Sequence, residues 1–454
     1  MAEANAVPDA ALHRVVIVGG GAGGLELATK LGNSLGRRRR ADITLIERAR
    51  THFWKPHLHE IAAGSMDVAV YDTDYLAQSH WHCFRYRIGE MTGLDRQRRQ
   101  VHVAAFTDED GDRVAPPRTV DYDTLVICIG SRTNDFGTPG AHEYAIALDD
   151  PVEAERFHRR LVNAYMRAHT QSEPLRPEQL HVAIIGAGAT GVELAAELHN
   201  TIRVLTGYGL ESFHPETQIR IRVVEAGPRI LPGLPEYIAG ETLETLQSLG
   251  IEVLLDERVV EATAEHVKTA SGRLVPAQFI VWAAGIRCPG VLKDLDGLES
   301  NRLNQLVVRD TLQATRDDDV FALGDCACVP WRGRPPRGQD QTTGKAVPPR
   351  AQSAHQMSEH LVKMIPRRMA GRPLKPFRYR DFGSLVSLGN YQSVGTLMGF
   401  VTGGTLRLEG LLAKAFYVSL YRLHVWALHG FWRMALDTLA RMIRQQTDPK
   451  VKLH

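Results

Sequence analysis

The chain has 454 residues, 44% of them hydrophobic, and a formal net charge of +2 at pH 7. That length suits two or three domains with a sizeable core, and the near-neutral balance gives no case for a nucleic-acid partner. Five cysteines, none in a CxxC or CxxxxC pair, fit reduced thiols rather than a disulfide framework.

Residues 1–13 read as a loose arm with neither a basic start nor an apolar core, so no signal peptide is expected. Residues 15–18 are a β-branched apolar run, the pattern of a strand buried on both faces. The run enters Gly19-Gly20-Gly21-Ala22-Gly23-Gly24, a GxGxxG turn, and a helix is expected over 25–35. In such a turn Gly19 permits the tight bend, Gly21 lets backbone approach a pyrophosphate, and Gly24 lets helix pack on strand. The helix N–H groups and dipole then face the phosphates. A second strand, 43–46, ends on Glu47, 23 residues past Gly24, where an acid would take a ribose hydroxyl. Arg48 beside it and Lys55 in the next stretch, HFWKP, complete the candidate contacts to this first dinucleotide. The run of arginines at 37–40 reads as a solvated loop. A strand over 122–130 ends at Gly130, near the same cofactor.

A charged helix over 149–170 reads as a linker, after which the opening pattern repeats. A strand at 181–185 enters Gly186-x-Gly188-x-x-Gly191, followed by a helix over 192–204 and a strand at 220–224 ending on Glu225. The spacing from Gly191 to Glu225 is longer than in the first repeat, and a loop inserted at 206–217 accounts for it. A strand over 279–285 ends at Gly285 as its counterpart ends at Gly130. A duplicated βαβ unit implies two nucleotides. A third glycine-ended strand closes on Gly324-Asp325, at the sheet edge where open α/β folds bind ligands. Asp325 there can accept a hydrogen bond from a sugar-alcohol chain.

A basic Pro/Gly-rich loop at 332–349 precedes a helix at 350–364, with Gln352 and Gln356 on one face. By spacing alone that pair is an ordinary polar helix face. Residues 377–400 read as a small antiparallel sheet. Two amphipathic helices follow, striped by Leu412, Phe416, Leu420, Leu423 and Ala427 and by Trp432, Leu436, Leu439 and Ile443, with Gly430 between them. From residue 407 onward Arg407, Lys414, Arg422, Arg433, Arg441, Arg444, Lys450 and Lys452 meet only Glu409, Asp437 and Asp448. Aromatics interleaved with arginine favour a helix lying in an anionic membrane interface over plain core packing. No stretch reaches the roughly 18–20 apolar residues of a spanning helix. No metal is expected, since Cys326 and Cys328 lack ligand company. Cys128 and Cys288 read as core thiols.

The expected fold class is α/β, with two Rossmann-like dinucleotide-binding domains and a C-terminal α+β membrane-association region. The expected boundaries are 14–148 with 302–375, then 149–301, then 376–454. Two dinucleotide folds with a Gly-Asp strand resemble the two-dinucleotide-binding flavoprotein reductases. That likeness implies FAD on the first repeat and NAD(P)H on the second. Glu225 stands where a 2′-phosphate would need cations, so NADH is expected. Ala351-Gln352-Ser353-Ala354-His355-Gln356, the stretch HFWKPHLHEIAAGS at 52–65, GATGVELAAEL at 188–198 and the basic amphipathic C-terminus resemble, more closely, the type II NADH:quinone oxidoreductases of the enterobacterial kind.

The resemblance implies hydride transfer from NADH to FAD and two-electron reduction of a membrane quinone without proton pumping. It implies a quinone pocket beside Gln352 and Gln356, a proton-handling carboxylate at Glu193, and a peripheral homodimer on the cytoplasmic side of a bacterial inner membrane. His57 departs from the pattern, which has leucine there. A sulfide:quinone oxidoreductase would need a pair of redox cysteines at the flavin. A redox-sensing protein that holds NADH and FAD without fast turnover is the reading from another class, and the paired glutamines argue against it.

Overall fold

In the computed structural model the described residues are 12–207, 218–331, 346–388, 393–398, 405–447 and 451–452; the side chains of 384–385, 393–398, 405–418 and 445–447 are not among them. Most of the expected insertion at 206–217 and most of the 332–349 loop lie outside the described residues, as does the C-terminal His454. The chain divides into two compact units. The first comprises Met1–His52, Thr73–Ser131 and Cys288–Arg380; the second comprises Phe53–Asp72, Arg132–Arg287 and Asp381–His454. This division differs from the expected boundaries: its junctions fall after Ser131 and after Arg287, earlier than expected, and two segments change place. Residues 53–72, with Lys55, join the second unit, and the C-terminal sheet and helices belong to that unit instead of standing apart.

The first unit is built on a five-stranded parallel sheet in the order Val320–Ala322, Thr124–Ile127, His13–Val18, Ala41–Glu47, Arg85–Ile88. Val15, Val16, Ile17 and Val18 are buried, as their unbroken apolar run requires of a strand covered on both faces. The helix Ala22–Leu31 starts directly at the glycine turn, three residues earlier than expected, and ends in a π-helical turn, Gly32–Gly36. It packs against the helix Ala351–Met369, which runs past its expected end and carries Pro366 in its last turn.

The second unit repeats the plan. Its parallel sheet runs Ala145–Ala147, Phe279–Trp282, His181–Ile185, Arg220–Val224, Glu252–Leu254. The helix Pro151–Thr170 starts where Asp150 accepts the Glu153 N–H at 3.1 Å, an ordinary side-chain cap. The short helix Leu58–Ala63 packs on Pro151–Thr170 and on Ala189–Gly207. The C-terminal part is a three-stranded antiparallel sheet, Gly383–Ser387, Ser393–Met398 and Thr405–Glu409. It is followed by the helices Gly410–His429 and Phe431–Thr447. Gly430 between the helices has φ +80°, which breaks the helix as expected. The Lys452 N–H returns to the Gly64 carbonyl at 3.1 Å, tying the end of the described chain to the same unit. Among the described residues no helix is long and apolar enough to cross a membrane.

Candidate functional site

The first glycine turn shows why two of its residues, Gly19 and Gly24, cannot carry side chains. Gly19 has φ +106°, and a Cβ there would lie 2.3 Å from the Cys128 carbonyl oxygen. A Cβ on Gly24 would lie 1.9 Å from the Gly19 oxygen, so the helix can approach the strand only without one. Gly21 is different, because nothing lies within 4 Å of where its Cβ would be. It is the N-cap of Ala22–Leu31, it makes no side-chain cap bond, and the first turn holds no acid. The leading N–H groups of this helix are thus open to an anion, unlike those capped by Asp150. Gly23 faces Leu323 and Ala354 and serves the packing of the two helices.

The Gly20 N–H donates to Glu47 Oε2 at 2.6 Å, while Glu47 Oε1 accepts from the Arg48 and Ala49 N–H groups at 2.8 and 3.0 Å. Tyr75 donates its hydroxyl to the Gly20 carbonyl at 2.7 Å. Gly130 and Gly324 follow neighbouring strands of the same sheet, at φ +70° and +73°. Ser131 Oγ donates to Asp325 Oδ2 at 2.9 Å, which orients that carboxylate. The Asp325 carbonyl is held by Gln305 Nε2 at 2.8 Å. One sheet end therefore brings together the turn Gly19 to Gly24, Glu47, Gly130, Gly324 and Asp325. The Arg48 side chain is exposed beside them. Lys55 is exposed on the short turn Lys55–His57 of the second unit.

The second turn matches the first almost atom for atom. Gly186 has φ +104°, a Cβ on Gly191 would lie 2.0 Å from the Gly186 oxygen, and Gly188 is open. Glu225 Oε2 accepts the Ala187 N–H at 2.7 Å and Oε1 the Gly227 N–H at 2.8 Å. Gly285 follows the adjacent strand at φ +66°. Arg222 lies on the strand before Glu225 and pairs with Glu252 at 2.8 Å, away from the turn as its parity requires. Arg229, which the sequence reading passed over, donates to the carbonyls of Leu234 and Pro232 at 3.0 and 2.8 Å. Both turns fit a dinucleotide: an open glycine, helical N–H groups and an acid already held at the turn.

On the helix Ala351–Met369, Gln356 exchanges two hydrogen bonds with the Arg380 backbone. Its Nε2 donates to the Arg380 carbonyl at 2.8 Å, and its Oε1 accepts the Arg380 N–H at 3.0 Å. A primary amide has two N–H groups, so this pairing orients Gln356 and leaves a second donor. Gln352 is half-buried one turn earlier. Between them His355 Nδ1 meets Glu26 Oε2 at 2.7 Å, and Lys30 bridges Glu26 and Glu359. Glu26, His355 and Glu359 have ligand-like spacing, but the Lys30 ammonium already supplies their cation. The bond to Glu26 holds the His355 imidazole above its usual range.

Glu193 lies on Ala189–Gly207, almost fully buried, and its Oε1 accepts the Ser387 N–H at 3.0 Å. Burial pushes its carboxyl up to about 8, with Glu60 and Glu197 adding to the rise and the Ser387 bond opposing it. His59 Nδ1 stands 3.8 Å from Glu193 Oε2, and His59 Nε2 stands 3.9 Å from Glu60 Oε1. The same Glu60 oxygen lies 2.8 Å from His57 Nδ1. Burial pushes the His59 imidazole down to about 4. Of these residues Glu193 alone was legible in the sequence; His59 and Glu60 carried no signal of their own.

The same unit gathers aromatic rings here. Trp54 lies 4.3 Å from His424, and His57 meets Tyr421 edge-on at 5.1 Å between centroids. Arg441 donates to the Tyr421 hydroxyl at 2.8 Å, pairs with Asp437 at 2.6 Å and lies 4.0 Å over Tyr71. Arg441 is therefore turned inward, a correction to the expectation that the basic residues of this tail face an anionic membrane interface. Lys452 is likewise paired, with Asp67. The outer face of Phe431–Thr447 remains strongly apolar, with Trp432 79%, Leu436 68%, Leu439 56% and Ile443 60% exposed.

The cysteines do not form a redox pair. Burial holds the Cys128 and Cys326 thiols well above their usual range, with Cys326 pushed up to about 12. Cys128 donates to the Val18 and Gly19 carbonyls at 3.1 Å. A thiolate nucleophile is not stabilised at either position.

Comparison with known proteins agrees with this geometry. Residues 13–358 match the family described as pyridine nucleotide-disulphide oxidoreductase. The chain is 41% identical to a type II NADH:quinone oxidoreductase of Haemophilus influenzae, over 98% of this chain and 100% of that protein. It is 27% identical to a protein of the same name from Staphylococcus aureus, over 85% of this chain and 90% of the other. Among solved structures it resembles NDH2 of Plasmodium falciparum in complex with NADH, with a TM-score of 0.77 and 20% identity over 94% of this chain and 97% of the other. It resembles the sulfide:quinone oxidoreductase of Aquifex aeolicus in fold, with a TM-score of 0.68 and 17% identity over 92% and 91%.

Proposed function

The chain belongs to the pyridine nucleotide-disulphide oxidoreductase family and, within it, to the type II NADH:quinone oxidoreductases; on that premise we propose which of its residues hold the two dinucleotides and which serve the quinone. The enzyme is an FAD-dependent NADH:quinone oxidoreductase. FAD, when bound, supplies a two-electron relay that takes hydride from NADH and returns the electrons to quinone.

The duplicated glycine turn, each copy with its own acid, is the observation that carries this reading. FAD is assigned to the first unit. The open N–H groups at Ala22–Leu31 take the pyrophosphate, with the backbone of Gly19, Gly20, Gly21, Ala22, Gly23 and Gly24 close by. Glu47 takes the ribose, Arg48 stands beside it, and Gly130, Gly324 and Asp325 bound the remaining contacts. NADH is assigned to the second unit, with Gly186, Gly188 and Gly191 at the pyrophosphate, Glu225 at the ribose and Gly285 near the nicotinamide end. Lys55 is retained as a cofactor contact on its charge and resemblance alone.

Gln352 and Gln356 are assigned to the quinone carbonyl, Gln356 through the N–H that Arg380 leaves over. Glu193 is assigned to quinone-side proton handling because its raised pKa keeps it protonated near neutral pH. The exposed stripe of Phe431–Thr447, with Arg433 and Arg444, supports docking on an anionic lipid surface. The likeness to the family supports a homodimer and the cytoplasmic side of a bacterial inner membrane.

The test is to purify the protein with its flavin and resolve two half-reactions by stopped flow. NADH should bleach the flavin, and a short-chain quinone should restore its colour. A protein bleached by NADH and reoxidised by oxygen but not by quinone would overturn the quinone assignment.

A further inference from the structure

The overall reaction, NADH + H⁺ + quinone → NAD⁺ + quinol, draws one proton per turnover from water. Glu193 is poorly placed to collect it, being 7% exposed. Of the two side chains that face Glu193 from the helix Leu58–Ala63, Glu60 reaches solvent, 23% exposed, whereas His59 is only 4% exposed. His59 lies between the two carboxylates, with one ring nitrogen turned to each.

From this geometry we propose that Glu60 and His59 form a proton-entry relay that recharges Glu193, with His57 holding Glu60 in place. The proposal rests on the assignment of Glu193 to the quinone side. A neutral imidazole is suited to the task, because it can accept a proton on Nε2 while releasing one from Nδ1. Burial keeps His59 neutral near pH 7, so it passes protons without storing a charge. Both gaps exceed hydrogen-bond length by about 1 Å, a distance that a small side-chain shift closes when the site is filled.

The balance of each cycle is simple. Glu193 gives one proton to the quinone oxygen, His59 gives its Nδ1 proton to the resulting carboxylate, and Glu60 gives one to His59 Nε2. Water then reprotonates Glu60, and a ring flip or the reverse tautomer shift resets His59.

Other groups set the electrostatics. On Glu193's own helix, Glu197 opposes its ionisation, as does Glu60 from the facing helix. From the strand Gly383–Ser387 the Ser387 N–H favours the carboxylate. The Pro56 carbonyl competes for the His59 ring, and the His57 charge would oppose that of His59. Tyr421, from the C-terminal helices, faces His57. His158, on the other packed helix, is engaged with the Lys452 carbonyl at 2.7 Å. His57 bonds to the very oxygen of Glu60 that His59 must reach, so it acts on position.

The experiment uses full-length holoenzyme and the substitutions Glu60→Gln, Glu60→Asp, His57→Leu and Glu193→Gln. Flavin bleaching by NADH should be the same in all. Reoxidation by a short-chain quinone should slow about tenfold or more in Glu60→Gln, most at alkaline pH, with an enlarged solvent deuterium effect. Glu60→Asp should restore part of the rate, and His57→Leu should shift the pH profile without abolishing turnover. A second readout needs no turnover: the infrared carboxyl band lost in Glu193→Gln should titrate at lower pH in Glu60→Gln, where a neighbouring negative charge is gone. If Glu60→Gln keeps the native pH profile and isotope effect while Glu193→Gln is impaired, the relay is overturned and the role of Glu193 stands. If Glu193→Gln is itself unimpaired, the underlying assignment is overturned first.

Discussion

Glu225 accepts the Ala187 N–H at 2.7 Å, so the acid proposed for the ribose is locked to the turn proposed for the phosphates. The lock fixes a negative charge where a 2′-phosphate would have to sit, and the nearby Arg229 is engaged with the Leu234 and Pro232 carbonyls. NADH should therefore exceed NADPH in kcat/KM by at least about tenfold, the equivalent of about 1.4 kcal/mol. Glu225→Gln should narrow the ratio by removing a like-charge clash. Equal values for the two cofactors in the native enzyme would refute the assignment.

Gln352→Leu and Gln356→Leu should act after hydride transfer. Losing one neutral hydrogen bond costs about 0.5–1.5 kcal/mol, more when a buried partner is left unpaired. Quinone use should therefore weaken about tenfold, with flavin bleaching by NADH nearly normal. Gln356→Leu should in addition lower thermal stability slightly, since it breaks two bonds to the Arg380 backbone. Slower bleaching with intact reoxidation would place the glutamines on the NADH side.

Membrane attachment should depend on Trp432 and Leu436, which are 79% and 68% exposed. Burying such a side chain in lipid is worth about 1.5–3 kcal/mol. Trp432→Ala with Leu436→Ala should therefore cut sedimentation with anionic liposomes by about two orders of magnitude while leaving flavin content unchanged. Substitution is a cleaner test than truncation, because Tyr421, His424 and Arg441 of the same helices pack on Trp54, His57 and Tyr71. Unchanged sedimentation of the double variant would exclude this face as the contact.

Stability should change with pH in two opposed windows. Glu193 keeps in the folded state a proton that the unfolded chain loses above the ordinary carboxyl value of 4.5, so its contribution declines as pH rises from 4.5 toward about 8. His59 refuses a proton that the unfolded chain takes below 6.5, so its contribution is lost as pH falls from 6.5 toward about 4. The melting temperature of Glu193→Gln relative to native should thus climb between pH 5 and pH 8, the window those values span. A constant offset across that range would show that Glu193 titrates normally.

The homodimer is testable by light scattering of detergent-free and detergent-solubilised protein. A monomer at micromolar concentration in both would refute it.

The amino-acid sequence by itself determined the two dinucleotide units, because strand, glycine turn and helix are neighbours in the chain and their geometry is local. The demand for glycine at Gly24 and Gly191 comes from contacts within one βαβ unit, and at Gly19 and Gly186 the positive φ of the turn itself asks for it even before Cys128 and Ala284 close in from neighbouring strands; the acids Glu47 and Glu225 stand at the end of the next strand. Tertiary packing decided what local pattern cannot encode. The amphipathic stripe could not say which arginines face outward, and Arg441 turns in because Tyr71, from a remote segment, offers it a ring and Tyr421 a hydroxyl. The helix face bearing Gln356 could not reveal the Arg380 backbone that holds it. Nor could spacing join Glu60 and His59 to Glu193, since only the packing of Leu58–Ala63 on Ala189–Gly207 brings a solvent-reaching carboxylate, a neutral imidazole and a buried acid into one row. Short-range geometry is written in neighbouring residues, whereas a side chain's partner across the fold is set by which surfaces are buried together.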